Sequence, residues 1–215
     1  VSNDGDKPVI TANNQNYTFD AVLYATGRKA NTANIGLEHT DIVTNERGAI
    51  VVNDTCESSA PGVYTVGDVN GGPQFTYVSL DDFRIVFGAL TGNSQYTLKD
   101  RKNIPYTTFL TPPLSRVGLT EEDAINQGYT VKTKEMLVAT MPRAHVNDYL
   151  KGAFKIVVDA DNDLILGATL YSQGAEELIN LIKMAMDNNI PYTYFKNQIF
   201  THPTMAENLN DLCNF

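Results

Sequence analysis

Cysteine is scarce in this chain: Cys56 and Cys213 are the only two among 215 residues, and most of the sequence separates them. That spacing excludes a Cys-x-x-Cys redox motif and the close cysteine pairs of a zinc site, so no metal is expected. Positive charge is also short. Sixteen basic against twenty-five acidic side chains leave a net charge of −9, which repels nucleic acid and anionic membrane surfaces. No apolar run approaches the roughly 20 residues that cross a bilayer, and no basic-then-apolar leader opens the sequence. The expected location is the cytoplasm, where a structural disulfide is not expected. Internal repeats and low-complexity stretches are absent as well. What is present is a globular composition, 42% hydrophobic, long enough for one large domain or two small ones. Val1 is not a methionine and Val1 to Ile10 enters a hairpin already under way, so a piece of a longer protein is expected.

Residues 1 to 31 alternate in a strand-like way, with Asp4-Gly5 as a turn signal and Phe19 to Ala25 as an apolar run suited to a buried strand. Gly62 to Val66 reads as a second such strand, stopped by Gly67-Asp68 and followed by the loop Asn70-Gly71-Gly72-Pro73. A helix is expected over Thr76 to Leu90, with Val78, Phe83, Val86, Phe87 and Leu90 on its apolar period and Thr91-Gly92-Asn93 at its end. Lys99 to Asn103 reads as a linker. Beyond it come strands at Pro105–Leu110 and Arg116–Leu119, then a helix opened by a Thr120/Asp123 capping box and closed by Gly128. Strands at Val131–Val138, Ala153–Val158 and Leu164–Tyr171 complete a small antiparallel sheet. The helix over Ala175 to Met186 is apolar around more than one stripe, which predicts burial on two sides. A last helix is expected from Pro203 to about Leu212.

Two groups of residues stand out chemically. Asp68 follows an apolar strand and precedes a glycine loop and a helix, which is where α/β sheets bind ligands. Its carboxylate can accept hydrogen bonds from sugar-like hydroxyls, and the helix beyond offers free amides. On residue types alone an aspartate that merely caps the turn fits as well. His202, in Thr201-His202-Pro203-Thr204-Met205-Ala206-Glu207, is either a capping residue or an acid/base whose other ring nitrogen is held by Glu207. An imidazole suits thiol–disulfide exchange, because the attacking sulfur must lose a proton and the leaving sulfur must gain one.

The order of the residues around these positions resembles a known family. Pro61-Gly62-Val63-Tyr64-Thr65-Val66-Gly67-Asp68-Val69 is similar to the second FAD motif of the class I pyridine-nucleotide disulfide oxidoreductases, the family of glutathione reductase and dihydrolipoamide dehydrogenase. Ala25-Thr26-Gly27-Arg28-Lys29-Ala30-Asn31 resembles the family's link from its NAD(P)H domain back to its FAD domain, with Ala30 where proline is usual. Thr201 to Glu207 matches its His-Pro-Thr-x-x-Glu signature. Phe109 to Pro113, Val117 to Glu121 and Ile165 to Ala168 resemble parts of its interface domain. Gly71 to Tyr77, with Gln198 to Thr204 and Asn208 to Leu212, is most similar to the branch of bacterial reductases acting on reactive chlorine or hypothiocyanous acid.

The resemblance implies an α/β and α+β chain: residues 1–31 end an NAD(P)H-binding domain, 32–101 complete an FAD-binding domain, and 102–215 form an α+β dimerisation domain with helices flanking an antiparallel sheet. It implies FAD as cofactor and NAD(P)H as electron donor, with Gly67, Asp68 and the backbone of Thr76 and Tyr77 contacting the flavin. It implies a homodimer in which His202 and Glu207 serve the dithiol of the other subunit, acting on a small oxidised thiol or oxidant. The Gly-x-Gly-x-x-Gly cradle for the FAD pyrophosphate and the Cys-x4-Cys pair of the family are missing from these residues. Two other readings stand beside this one: a catalytically silent dimerisation module, and a flavin peroxidase or oxidase with one active cysteine, which the His202 and Glu207 pair disfavours. Cys213 is expected to pack rather than to shuttle electrons. Arg143 and His145 are candidates for an interface or a substrate entrance.

Overall fold

The computed structural model describes residues 2–215 and divides the chain into two compact units, Val1–Leu90 and Thr91–Phe215. Helices are mixed with antiparallel sheets, as the sequence leads one to expect.

In the first unit, β1 (Ser2–Asp4), β2 (Lys7–Ala12) and β3 (Gln15–Thr18) form an antiparallel meander. Asn13 and Asn14 turn the second hairpin with φ of 52° and 61°, the left-handed pair that matches strand twist. Past β3 the expectations fail. Phe19 to Ala25 is not a strand, and Leu23 stands 90% exposed. Gly62 to Val66 is reduced to a single bridge between Glu57 and Tyr64. The physical reason is the same in both places: no described strand pairs along the whole segment, so the Phe19 amide reaches only the Pro8 carbonyl, and the Val63 carbonyl and Thr65 amide reach only Ser58 and Cys56. One long helix, α1 (Thr76–Leu90), forms where the period predicts it. Of the expected apolar face only Val78 is fully buried, beside Asp82 and Ile85, and Phe83, Phe87 and Leu90 are left in solvent.

The second unit encloses its own core. Its strands are β4 (Tyr106–Thr108), β5 (Leu114–Gly118), β6 (Val131–Leu137), β7 (Ala153–Asp159) and β8 (Ile165–Tyr171). They pair antiparallel in the order β4-β5-β8-β7-β6. Gly118 pairs with Gly167, and a Cβ on either would strike a backbone carbonyl of the neighbouring strand, so two bare residues permit this approach. Helix α2 (Glu121–Asn126) starts at the Thr120/Asp123 capping box. The short α3 (Pro142–Val146) and α5 (Tyr192–Asn197) were not legible as helices in the sequence. Helix α4 (Ala175–Asp187) buries Ala175, Leu178, Ile179, Ile182 and Ala185 against the sheet, while Met184 is exposed. The last helix, α6 (Asn208–Leu212), begins five residues after Pro203, because Thr204 and Glu207 spend the intervening turn on hydrogen bonds of their own.

Alternation along β7 sends Phe154, Ile156 and Val158 into this core beside Leu170, Ile182, Leu209 and Leu212. Phe154 is fully buried, so Phe154→Ala should cost about 3–5 kcal/mol in urea unfolding, the range for a deleted core aromatic. Thr120→Ala, which removes a cap and no core atom, should cost about 1 kcal/mol. Equal losses from the two would contradict this placement of the core.

Candidate active site

His202 and Glu207 meet in the structure: imidazole Nδ1 lies 2.7 Å from carboxylate Oε2. The loop that joins them is built from its own polar groups. Thr204 Oγ1 donates to the Thr201 carbonyl at 2.7 Å and accepts the Glu207 amide at 3.2 Å. Glu207 returns the contact by accepting the Thr204 amide on Oε1 at 3.3 Å, a reciprocal capping box. Buried Asn208 donates to the carbonyls of Thr204 and Met205. Glu207 is therefore held by one oxygen on the backbone and offers the other to the ring.

A carboxylate only accepts, so Nδ1 carries the hydrogen and the neutral ring presents Nε2 as its free acceptor. Nε2 has no partner among the described residues. The His202 side chain is 70% exposed and that of Glu207 17%. So exposed a pair contributes at most about 1 kcal/mol to stability, and its consequence is orientation of the ring.

In the first unit, Asp68 lies on a 3₁₀ turn, Gly67–Asn70, just ahead of α1. A cleft of about 430 Å³ is lined by Arg28, Val66, Gly67, Asp68, Gln74, Thr76 and Ser79. The turn is pinned from below. Asp82, buried within α1, accepts the Gly67 amide and the Asn70 carboxamide, each at 2.8 Å. Gly67 has φ of 76°, and a Cβ there would come within 2.9 Å of Ser79 Oγ, so the turn requires glycine. Arg28 approaches Asp68 at 3.5 Å with both side chains largely in solvent, a contact weak enough to give way to a ligand. Thr76 and Tyr77 open α1, so their amides lack intrahelical acceptors. The Tyr77 ring is occupied by the Arg84 guanidinium, 5.3 Å from its centroid. An acceptor carboxylate beside free amides and a serine hydroxyl fits a ligand bearing both hydroxyls and carbonyl oxygens, as the ribityl chain and pyrimidine of FAD do. Arg28 and Asp82 were not singled out in the sequence. Arg28 sits inside a motif read only as a link, and Asp82 has the pattern of an ordinary acid on a helix surface.

Models of two domains match the chain: pyridine nucleotide-disulphide oxidoreductase over residues 1–82, and the dimerisation domain of pyridine nucleotide-disulphide oxidoreductases over 104–213. The chain belongs to this family, whose members use FAD and NAD(P)H. It is 44% identical over 212 residues to the probable pyridine nucleotide-disulfide oxidoreductase RclA of Escherichia coli, covering 99% of this chain and 48% of that protein. A mercuric reductase of Staphylococcus aureus is 34% identical, over 93% of this chain and 37% of its own length. A solved structure of the HOCl-induced flavoprotein disulfide reductase RclA from Escherichia coli superposes with a TM-score of 0.91 at 44% identity, covering 97% of this chain and 48% of that one. The chain thus spans about half, or less, of the relatives it matches.

The remaining candidates neither line the Asp68 cleft nor hydrogen-bond to the His202–Glu207 pair. His145 is exposed, with Nε2 2.8 Å from the Ala139 carbonyl, and Arg143 precedes it on α3. No cluster of metal-binding side chains occurs among the described residues, and no helix is long and apolar enough to cross a membrane. Cys56 and Cys213 are both fully buried, and Cys213 is a free thiol. Burial pushes the Cys213 thiol up to about 12, against a small opposing pull from Lys134. The neutral thiol is favoured by folding, so its stabilising contribution is complete below the ordinary value of 9.0 and is lost as pH rises toward 12. Iodoacetamide at pH 8 should leave Cys213 unmodified in the native protein and alkylate it only after denaturation, as read by peptide mass mapping. Rapid native labelling would show a reactive thiol where the structure has a packed one.

Proposed function

We propose that this chain is the C-terminal portion of an FAD-dependent NAD(P)H:disulfide or thiol-oxidant oxidoreductase that works as a homodimer in the cytoplasm. The observation that carries this reading is the His202–Glu207 contact, an oriented imidazole with its second nitrogen open to solvent. Asp68 and Gly67, with the Thr76 and Tyr77 amides, would hold the ribityl and pyrimidine parts of the flavin. FAD, when bound, supplies two-electron transfer between a reduced nicotinamide and a disulfide. His202 serves the sulfur chemistry: Nε2 takes the proton of an attacking thiol and returns one to the leaving sulfur, while Glu207 fixes the tautomer and supports the transient imidazolium. We take the dithiol it serves to be the partner subunit's, as the family resemblance implies; Cys56 and Cys213, far apart in sequence, do not form the family's Cys-x4-Cys pair. The likeness to a reductase described as HOCl-induced supports a small oxidised thiol or a reactive oxidant as substrate. Supplied alone, the chain would be a silent dimerisation module, because it contains neither a Gly-x-Gly-x-x-Gly cradle nor a Cys-x4-Cys pair.

The test is stopped-flow separation of the two half-reactions in the full-length protein. His202→Ala should slow thiol or oxidant turnover by about 10²–10⁴, the range for a lost general acid/base, and leave flavin reduction by NAD(P)H nearly unchanged. Glu207→Gln should give a smaller loss in the same half-reaction. If flavin reduction fell in parallel with thiol turnover, His202 would be a structural residue.

A further inference from the structure

Three backbone carbonyls converge on one side chain next to the His202 loop. The Asn210 carboxamide nitrogen lies 2.5 Å from the Phe195 oxygen, 3.3 Å from that of Lys196 and 3.0 Å from that of Gln198. A carboxamide has two N–H bonds, so one of the three contacts is shared. Phe195 and Lys196 lie in the last turn of α5, where carbonyls have no intrahelical donor. Gln198 begins the extended segment that delivers His202. Asn210 itself sits on α6, three residues beyond Glu207. One side chain thus ties the segment bearing the imidazole to the helix following the carboxylate, and closes residues 198–210 into a ring.

The rest of the ring is fixed at further points, one of them on Glu207 itself. Phe200 packs against the core, while Ile199, between it and the clamped Gln198, is held out in solvent at 98% exposure. The Thr201–Thr204–Glu207 hydrogen bonds set the chord across the loop. An exposed imidazole–carboxylate contact is too weak to draw a loosened backbone into place, so its 2.7 Å separation must be inherited from the frame. Asn210 is the only side chain among the described residues whose hydrogen bonds join the incoming segment 195–198 to α6.

We propose that Asn210 is a positioning residue for the His202–Glu207 pair, holding the imidazole within reach of Glu207 and its free Nε2 outward. This rests on the reading of His202 as the acid/base. The residue type is specific: Asp at this position would set a carboxylate against carbonyl oxygens, and Leu would keep the size and lose both donors.

A double-mutant cycle in the full-length flavoprotein tests it. Asn210→Leu should slow the thiol half-reaction by about tenfold, within the coupling range of neighbouring residues, and leave flavin reduction within about twofold. In a Glu207→Leu background the same substitution should add less than about twofold, because leucine offers the ring no acceptor and the contact it positions is already lost. Lys134→Met is the control, since Lys134 anchors the other end of α6 through the Asp211 and Asn214 carbonyls. It should lower Tm and show no coupling to Glu207. Additive losses, or equal coupling for Lys134 and Asn210, would overturn the proposal. Should Asn210→Leu fail to fold, Asn210→Ser, with one donor in place of two, takes its place in the cycle with the same expected outcome. A crystal structure of the variant reads positioning without activity: an imidazole–carboxylate distance opened past about 3.5 Å, beyond hydrogen-bond reach, supports the role, and an unchanged pair refutes it. If His202→Ala is itself silent while the variant's pair opens, the acid/base reading has failed and the positioning geometry has not.

Discussion

Helix α6 has only five residues, far too few to persist on its own propensity, and the candidate acid/base pair exists because tertiary contacts hold it in place. Leu209, Leu212 and Cys213 sink into the core shared by β7, β8 and α4. At the other end Lys134, from β6, donates to the Asp211 and Asn214 carbonyls where the helix stops. The His202 loop is strung between that fixed helix and α5. Its geometry is therefore a property of the sheet's packing, transmitted through a handful of hydrogen bonds, and the weak imidazole–carboxylate contact reports on the frame.

The two units were not equally readable. In the second, hydrophobic alternation and the capping residues identify most strands and helices to within a residue or two, because the surface each element must bury is buried within the same unit. Thr120 and Asp123 illustrate this: the capping box predicted from their spacing is present with both of its hydrogen bonds. In the first unit the same reasoning fails at Phe19 to Ala25 and at Gly62 to Val66. Apolarity indicates that a segment wants cover, and no described strand pairs along the whole of either one. The α1 stripe fails in a related way. Its most buried polar residue, Asp82, was invisible as such because nothing in a helical period marks an acid that holds a turn fifteen residues upstream.

The site followed the same division. Residues within one local motif were legible together, so His202 and Glu207, five apart, could be paired from sequence and are found in contact. Pro203 suits a helix start but does not mark one, because the Thr204–Glu207 capping bonds close a separate turn before α6 begins. Contacts joining distant elements were not legible at all. In the sequence Asn210 has the character of an exposed polar residue on a short helix, and Lys134 that of a strand charge facing water.

The two candidate sites also use electrostatics differently. At Asp68 the arginine contact is long and solvated, so little is lost when a ligand's hydroxyls take its place. The Gly67 turn beneath it is rigid, held by the buried Asp82. A binding group needs that combination of a fixed backbone and an uncommitted carboxylate. At Glu207 the carboxylate is committed on both oxygens and the mobile element is the proton on the imidazole it orients. Exposure of the ring then follows from its proposed chemistry, since a base that serves sulfur on another subunit has to stand out of its own fold. The hydrogen-bonded frame behind it keeps that exposed side chain from wandering.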